Sequence, residues 1–261
     1  MCVAITREIS PSFEDCELTH LSRQAIDIPK ARAQHEAYEQ RLSQAGCSIV
    51  RLLSADDVPD SVFIEDVAVV FDELAVVARP GAPSRRGETA YVAEALQAYR
   101  PLRHIEAPGT LDGGDVLTIG KRVFVGRSRR TNQAAISQLA QILRPYGYQV
   151  CDLAVEGCLH LKSAVTAISD NHLLINRAWA PADQFQSFQL IEVDGSEPYA
   201  ANALRIGDRV IYPTGYPRTR ARLEAAGVEI LDVDVTELIK AEGAVTCCSL
   251  ILGAVPNREA I

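Results

Sequence analysis

No run of this sequence approaches the ~18 consecutive apolar residues that a membrane span requires. The opening stretch "MCVAITREIS" lacks the charged-then-apolar layout of a secretory signal. A basic excess is also missing: 26 Lys and Arg stand against 34 Asp and Glu, a net charge of −8. Nucleic-acid binding needs a basic footprint and is therefore disfavoured, whereas a cationic small ligand suits the acidic balance. The seven cysteines are odd in number and include no C-x-x-C pair. They are expected to be free thiols in a reducing, cytoplasmic setting rather than a disulfide framework. No Pro/Gly/Ser-rich linker divides the chain, so residues 1–261 are expected to form a single domain.

What is present is a core and a period. Hydrophobic residues make up 48% of the chain and charged residues 23%, enough for a packed interior and too apolar for disorder. Four stretches read as β-hairpins around short polar or glycine-containing loops. They are "VAVVFDELAVVAR" around Asp72–Glu73, "DVLTIGKRVFVG" around Gly120–Lys121, "AVTAISDNHLLIN" around Asp170–Asn171, and "NALRIGDRVIYPTG" around Gly207–Asp208. Helical patterns span 31–45, 87–99 and 132–144, with shorter ones near 182–188 and 219–226, each followed by a further strand-like run. The unit is hairpin, helix, strand. A fifth unit would form if "AVTCCSLILG" near the C-terminus paired with "CVAITREIS" at the N-terminus, closing the repeats into a radial array.

Polar residues open each hairpin: Glu65–Asp66, Asp112, His160, Asn202 and Cys247, at successive gaps from Glu65 of 47, 48, 42 and 45. In a radial array these positions converge at one end of the axis, bringing carboxylates, an imidazole, an amide and a thiol to one cavity. Singly, each has an ordinary reading: a strand end, a D-G-G turn, a core histidine, a packed cysteine pair. Together they suit nucleophilic catalysis. A thiol attacks as thiolate, His160 could protonate a leaving group and then activate water, and Asp112 could orient the imidazole. Gly113–Gly114 would let backbone approach closely behind it. If "AVTCCSLILG" is a strand throughout, Cys247 shares the more polar face with Ser249 and Ile251, and Cys248 points the other way. Asp60, Glu65 and Asp66 could hold a guanidinium or ammonium. Arg85, Arg86, Arg129 and Arg130 are candidates to grip a carboxylate, or are surface charge. A carboxylate clamp and a guanidinium clamp together describe an arginine-like amino acid.

The stretches "FIEDVAVV", "ARPGAPSRR", "TLDGGDVL", "VFVGRSRRTNQ", "GCLHLKS" and "TCCS" occur in family order over nearly the whole chain. Through them the sequence resembles the dimethylarginine dimethylaminohydrolases of the guanidine-modifying (pentein) superfamily. The resemblance implies an α/β fold, a five-bladed α/β propeller with pseudo-fivefold symmetry. It implies hydrolysis of methylated arginines to citrulline through an S-alkylthiouronium intermediate. The nucleophile falls on Cys247, the acid/base on His160 and its orienting acid on Asp112. Guanidinium-binding carboxylates fall on Asp60, Glu65 and Asp66, and the carboxylate clamp on Arg85 and Arg130. A covering loop falls near Leu18. The rim beside the substrate amino group falls on the small Ala241, with Ala244 nearby. No cofactor is implied, and zinc at Cys247 and His160 would act as an inhibitor of the thiolate. The partner implied is a small-molecule substrate, without nucleic acid or membrane, and a homodimer stays open. An arginine deiminase-like hydrolase and a non-catalytic pentein binding protein are the competing readings.

Overall fold

The computed structural model describes residues 2–54 and 57–253. In chain order the elements are β1 (Cys2–Arg7), α1 (Ile28–Gln44) and β2 (Cys47–Leu52), then β3 (Ala68–Val70), β4 (Ala75–Val77), α2 (Thr89–Leu96) and β5 (Leu102–His104). Next come β6 (Val116–Ile119), β7 (Arg122–Arg127), α3 (Gln133–Leu143) and β8 (Gln149–Ala154). The turn of helix α4 (Leu161–Ala164) leads into β9 (Val165–Ala167), β10 (His172–Ile175) and β11 (Gln189–Glu192). The chain ends with β12 (Leu204–Ile206), β13 (Arg209–Pro213), α5 (Pro217–Ala225), β14 (Glu229–Val233), α6 (Thr236–Lys240) and β15 (Leu250–Leu252).

These strands make five three-stranded sheets, β15-β1-β2, β3-β4-β5, β6-β7-β8, β9-β10-β11 and β12-β13-β14. Every sheet has one design: the middle strand pairs antiparallel with the first and parallel with the third. A parallel partner needs a crossover, which α1, α2, α3 and α5 supply in four blades. In the blade of β10 and β11 the crossover holds only the 3-10 turn Ala182–Phe185, shorter than the helix expected near 182–188. The two-residue loops Gly120–Lys121 and Gly207–Asp208 carry φ of 57° and 60° at their glycines, as tight hairpins of this kind demand.

The first strands of all five sheets line one axial cavity of about 290 Å³, which makes the assembly a five-bladed propeller. Its closure is by the termini, β15 pairing with β1 from Val3↔Leu252 to Ile5↔Leu250. Apolar clusters fill the wedges between blades, such as Val76, Val123, Val125, Leu139 and Leu143 between the second and third sheets. Among the described residues no helix is long and apolar enough to cross a membrane.

Two expectations are corrected. Cys2 and Cys47, opposite each other in the parallel β1–β2 pair, are joined by a disulfide. An odd cysteine count guarantees only one unpaired thiol, and the crossover through α1 brings these two into register; the other five are free. The Cys247–Cys248 pair lies in a turn ahead of β15, not within the strand, so strand alternation does not govern it. The outcome is nevertheless the expected one: Cys248 is fully buried and Cys247 retains exposure.

Candidate active site

A second, narrow cavity is walled by residues from separate blades. Asp60, Asp66, Arg85, Arg130 and His160 line it together with Ala241 and Cys247. Asp112 stands directly behind His160. Its Oδ2 lies 3.1 Å from His160 Nε2, and its Oδ1 accepts the Gly81 N–H at 2.8 Å. The Asp112 N–H in turn donates to Thr131 Oγ1 at 3.1 Å. This carboxylate is therefore fixed in rotation before it meets the imidazole.

The double glycine makes the approach sterically feasible. A Cβ on Gly114 would stand 2.6 Å from His160 Nδ1 and 2.9 Å from Asp66 Oδ1, and one on Gly113 would stand 2.0 Å from the Glu65 carbonyl. The Gly114 N–H donates to Asp66 Oδ1 at 3.2 Å. Gly114→Ala is expected to displace the imidazole and lower turnover by about 10²-fold or more, the scale at which ångström misplacement acts. Steady-state rates on a variant with unchanged circular dichroism check this.

Both nitrogens of His160 face acids: Nδ1 lies 3.7 Å from Asp66 Oδ1. Burial alone would discharge the ring, but Asp66, the Asp112 hydrogen bond and Asp115 outweigh it and raise its pKa to about 9. His160 is thus an imidazolium at neutral pH. The Cys247 thiol moves the same way for the opposite reason, since burial and the charges of Glu65 and Asp66 push it up to about 12. The Ala244 N–H, 3.4 Å from Sγ, only partly offsets this. The resting site holds a proton donor and a neutral thiol.

Asp66 meets burial too, yet His160 and Arg85 hold it below the usual carboxylate range. Arg85 Nη1 donates to Asp66 Oδ2 at 2.5 Å, Nε and Nη2 donate to Glu88, and Nη2 also reaches the carbonyls of Asp60 and Phe63. Arg85 lines the narrow cavity together with Arg130. The guanidinium is buried and committed to the protein, anchoring Asp66. Arg130 is different: Nη2 meets Thr19 Oγ1 at 3.1 Å, and Nη1 lies 4.0 Å from Asp112.

Glu65 is placed differently from Asp66. Next to Asp66 in sequence, it turns to the other side, where Lys162 and Thr246 Oγ1 (2.9 Å) take its two oxygens. It lines the large axial cavity and not the narrow one. Leu18 packs its side chain on the apolar cluster containing Phe13 and Phe63; its neighbour Glu17 lines the cavity. The Asp60 carboxylate accepts the Glu17 N–H at 3.1 and 3.3 Å, and burial raises its pKa to about 6 despite Arg85. Arg86 donates to the Pro80 carbonyl and does not line the cavity.

Of the polar residues at the hairpin entrances, Asn202 has a supporting task, and Asp115 and Gly243 join it without a sequence signal of their own. Asn202 holds the nucleophile turn through the Thr246 N–H (3.0 Å) and Thr246 Oγ1 (2.9 Å). Asp115 accepts the Leu161 N–H at 2.9 Å, tying the histidine segment to "LDGGD"; its proximity to Asp112 concealed a separate task. Gly243 has no room for a side chain, because a Cβ would stand 2.0 Å from the Phe63 ring. Among the described residues, Asp66, Asp112 and His160 bring ligand atoms close enough to share a cation.

Comparison with known proteins agrees with this architecture. The family described as N,N dimethylarginine dimethylhydrolase, eukaryotic, matches residues 15–252. A Streptomyces coelicolor protein, N(G),N(G)-dimethylarginine dimethylaminohydrolase, is 39% identical over 95% of this chain and 96% of its own. The protein of the same name from Pseudomonas aeruginosa is 38% identical over 86% of this chain and 89% of its own. A solved structure of the Pseudomonas aeruginosa protein, a cysteine-to-serine mutant complexed with citrulline, superposes with a TM-score of 0.91. It is 37% identical and covers 95% of this chain and 98% of that one. With a fold, a family model and relatives that agree over almost its full length, this chain belongs to the dimethylarginine dimethylaminohydrolase family.

Proposed function

We propose that the protein hydrolyses N-omega-methylated arginines to citrulline and methylamines, with Cys247 as nucleophile. The observation that carries this reading is the convergence of Cys247, His160 with Asp112 behind it, Asp60, Asp66 and Arg130 on one narrow cavity. With its thiol neutral, such a site is inert until a cation arrives. A bound guanidinium between Asp60 and Asp66 places positive charge beside Cys247, which favours loss of the thiol proton to solvent, from which the thiolate recovers it after product release. The sulfur attacks the guanidinium carbon. His160 protonates the departing methylated nitrogen, the C–N bond breaks, and an S-alkylthiouronium remains on Cys247. His160, now neutral, takes a proton from water as that water adds to the same carbon. The C–S bond then breaks and citrulline is released. Since Nε2 is held by Asp112, Nδ1 is the nitrogen left for proton transfer. Arg130 is proposed to bind the substrate carboxylate and the Ala241 rim to face its amino group. The reading uses no cofactor and no homodimer. It is a cytoplasmic one, supported by five free cysteines, with the Cys2–Cys47 pair as the exception.

A competition assay tests it. Purified protein without added metal receives equal amounts of dimethylarginine, monomethylarginine, arginine and agmatine, with products resolved by mass spectrometry. Citrulline with methylated amines is expected. Ammonia released mainly from arginine would move the protein to deiminase chemistry, and no loss of any substrate would sink the catalytic reading.

A further inference from the structure

We propose that Glu242 is a positioning residue that latches the roof of the cavity. This deepens the hydrolase reading and rests on it for its kinetic part. Residues 16–27 contain no helix or strand and are mostly exposed, with Cys16, Leu18 and Ile26 as their apolar anchors. Between those anchors the backbone of Thr19, His20 and Leu21 is held by Glu242. Its Oε2 accepts the Thr19 N–H at 3.0 Å, and its Oε1 accepts the N–H groups of His20 and Leu21 at 2.5 Å each. One carboxylate takes three consecutive amides, a charge-assisted set.

The backbone shows that this side chain is there at a cost. Helix α6 ends in a paired capping pattern: the Glu242 N–H donates to the Ile239 carbonyl, and the Gly243 N–H reaches back to that of Leu238. In that pattern the residue after the cap adopts the left-handed conformation and is usually glycine. Here it is Glu242, with φ of 60°, the one non-glycine residue of positive φ among the described residues. The position that favours glycine carries a glutamate, and the glutamate is spent on the roof.

The roof has to open. The cavity beneath it measures about 20 Å³, room for about one water molecule and not for an arginine. Beyond Glu242 lies a mostly apolar chamber of about 250 Å³, bounded by His20 and Leu21 of the roof. Leu159, Glu242 and Gly243 border both spaces, so releasing the three amides would join them. Because Glu242 also precedes the turn whose Ala244 N–H meets Cys247 Sγ, roof and nucleophile turn are fastened to one residue.

The test uses the full chain with Glu242→Gly and Glu242→Gln. Glycine relieves the backbone while removing the carboxylate, so a latch and a purely structural residue give opposite results. Amide exchange at Thr19, His20 and Leu21 is expected to rise about tenfold or more in Glu242→Gly, given that charged hydrogen bonds are the stronger ones, and less in Glu242→Gln. Exchange in α3 should not change, and the thermal midpoint of Glu242→Gly should hold or rise. KM should increase about tenfold with a smaller change in kcat, as expected when closure over substrate is weakened. Unchanged exchange at the three amides would overturn the proposal. So would faster exchange with KM and kcat unmoved, or a Glu242→Gly midpoint well below that of Glu242→Gln. If the unmodified protein hydrolyses nothing, the functional reading fails alone, and exchange and thermal midpoint still decide the latch.

Discussion

Cys247→Ser is expected to reduce turnover at least about 10³-fold, the scale of losing a nucleophile, whereas Cys248→Ser keeps most of it. The two neighbours differ in surroundings, not chemistry. Cys247 borders the cavity with its sulfur beside the Ala244 N–H. Cys248 is fully buried in the apolar cluster around Tyr38 and Phe63, with its thiol 3.5 Å from the Ala244 carbonyl. A serine at 248 can donate to that same carbonyl, so its cost is in stability, about 1 kcal/mol for a buried hydroxyl. A serine at 247 presents a far weaker nucleophile, because a bound cation cannot ionise an alcohol as it can a thiol. Paired kcat and urea-midpoint measurements separate the cases. Equal loss of activity from both substitutions would contradict the assignment of the nucleophile.

The second large effect is expected from Asp112→Asn, about 10³-fold in kcat by analogy with orienting acids in other triads. The Gly81 N–H holds the Oδ1 side of residue 112, so the asparagine amide would keep its oxygen there and turn its NH₂ toward His160 Nε2. An NH₂ can only donate, which forces Nε2 to accept and moves the ring proton to Nδ1. The imidazolium then loses one of its partners and its pKa falls from about 9. The pH dependence follows in sign. A histidine raised to about 9 in the folded state, against ~6.5 unfolded, contributes stability that is fully present below ~6.5 and is lost as pH rises through 9. Asp112→Asn should shrink that window from the alkaline side. Titration of the His160 ring by NMR, with urea midpoints from pH 6 to 10, reads both. An unshifted His160 titration with normal kcat would refute the role of Asp112.

Much of the fold was legible because its repeat is carried by local signals. Hairpin loops at Gly120–Lys121 and Gly207–Asp208 announce themselves, and a spacing near 45 residues turns strand ends into a shared cavity for Asp112, His160 and Cys247. Side-chain direction carries no local signal. Glu65 and Asp66 are adjacent, yet Lys162 draws one to the large axial cavity while Arg85 and His160 hold the other in the narrow one. Arg85 and Arg130 both line that cavity, and Glu88 one turn beyond Arg85 takes two of its donors. The Cys2–Cys47 link needs the β1–β2 register, which no local pattern gives. Glu242 was invisible for a related reason, since sequence patterns assign left-handed positions to glycine and this one holds a glutamate.

The most direct test of the account is the mass of the protein itself during turnover. After brief mixing with dimethylarginine and an acid quench, the intact chain should gain the mass of arginine less ammonia. Digestion should place that gain on the peptide containing Cys247. Monomethylarginine should give the same adduct, because the departing amine carries the methyl groups away. Citrulline formed by the wild-type protein with no adduct at any mixing time, or an adduct on another residue, would contradict covalent catalysis by Cys247.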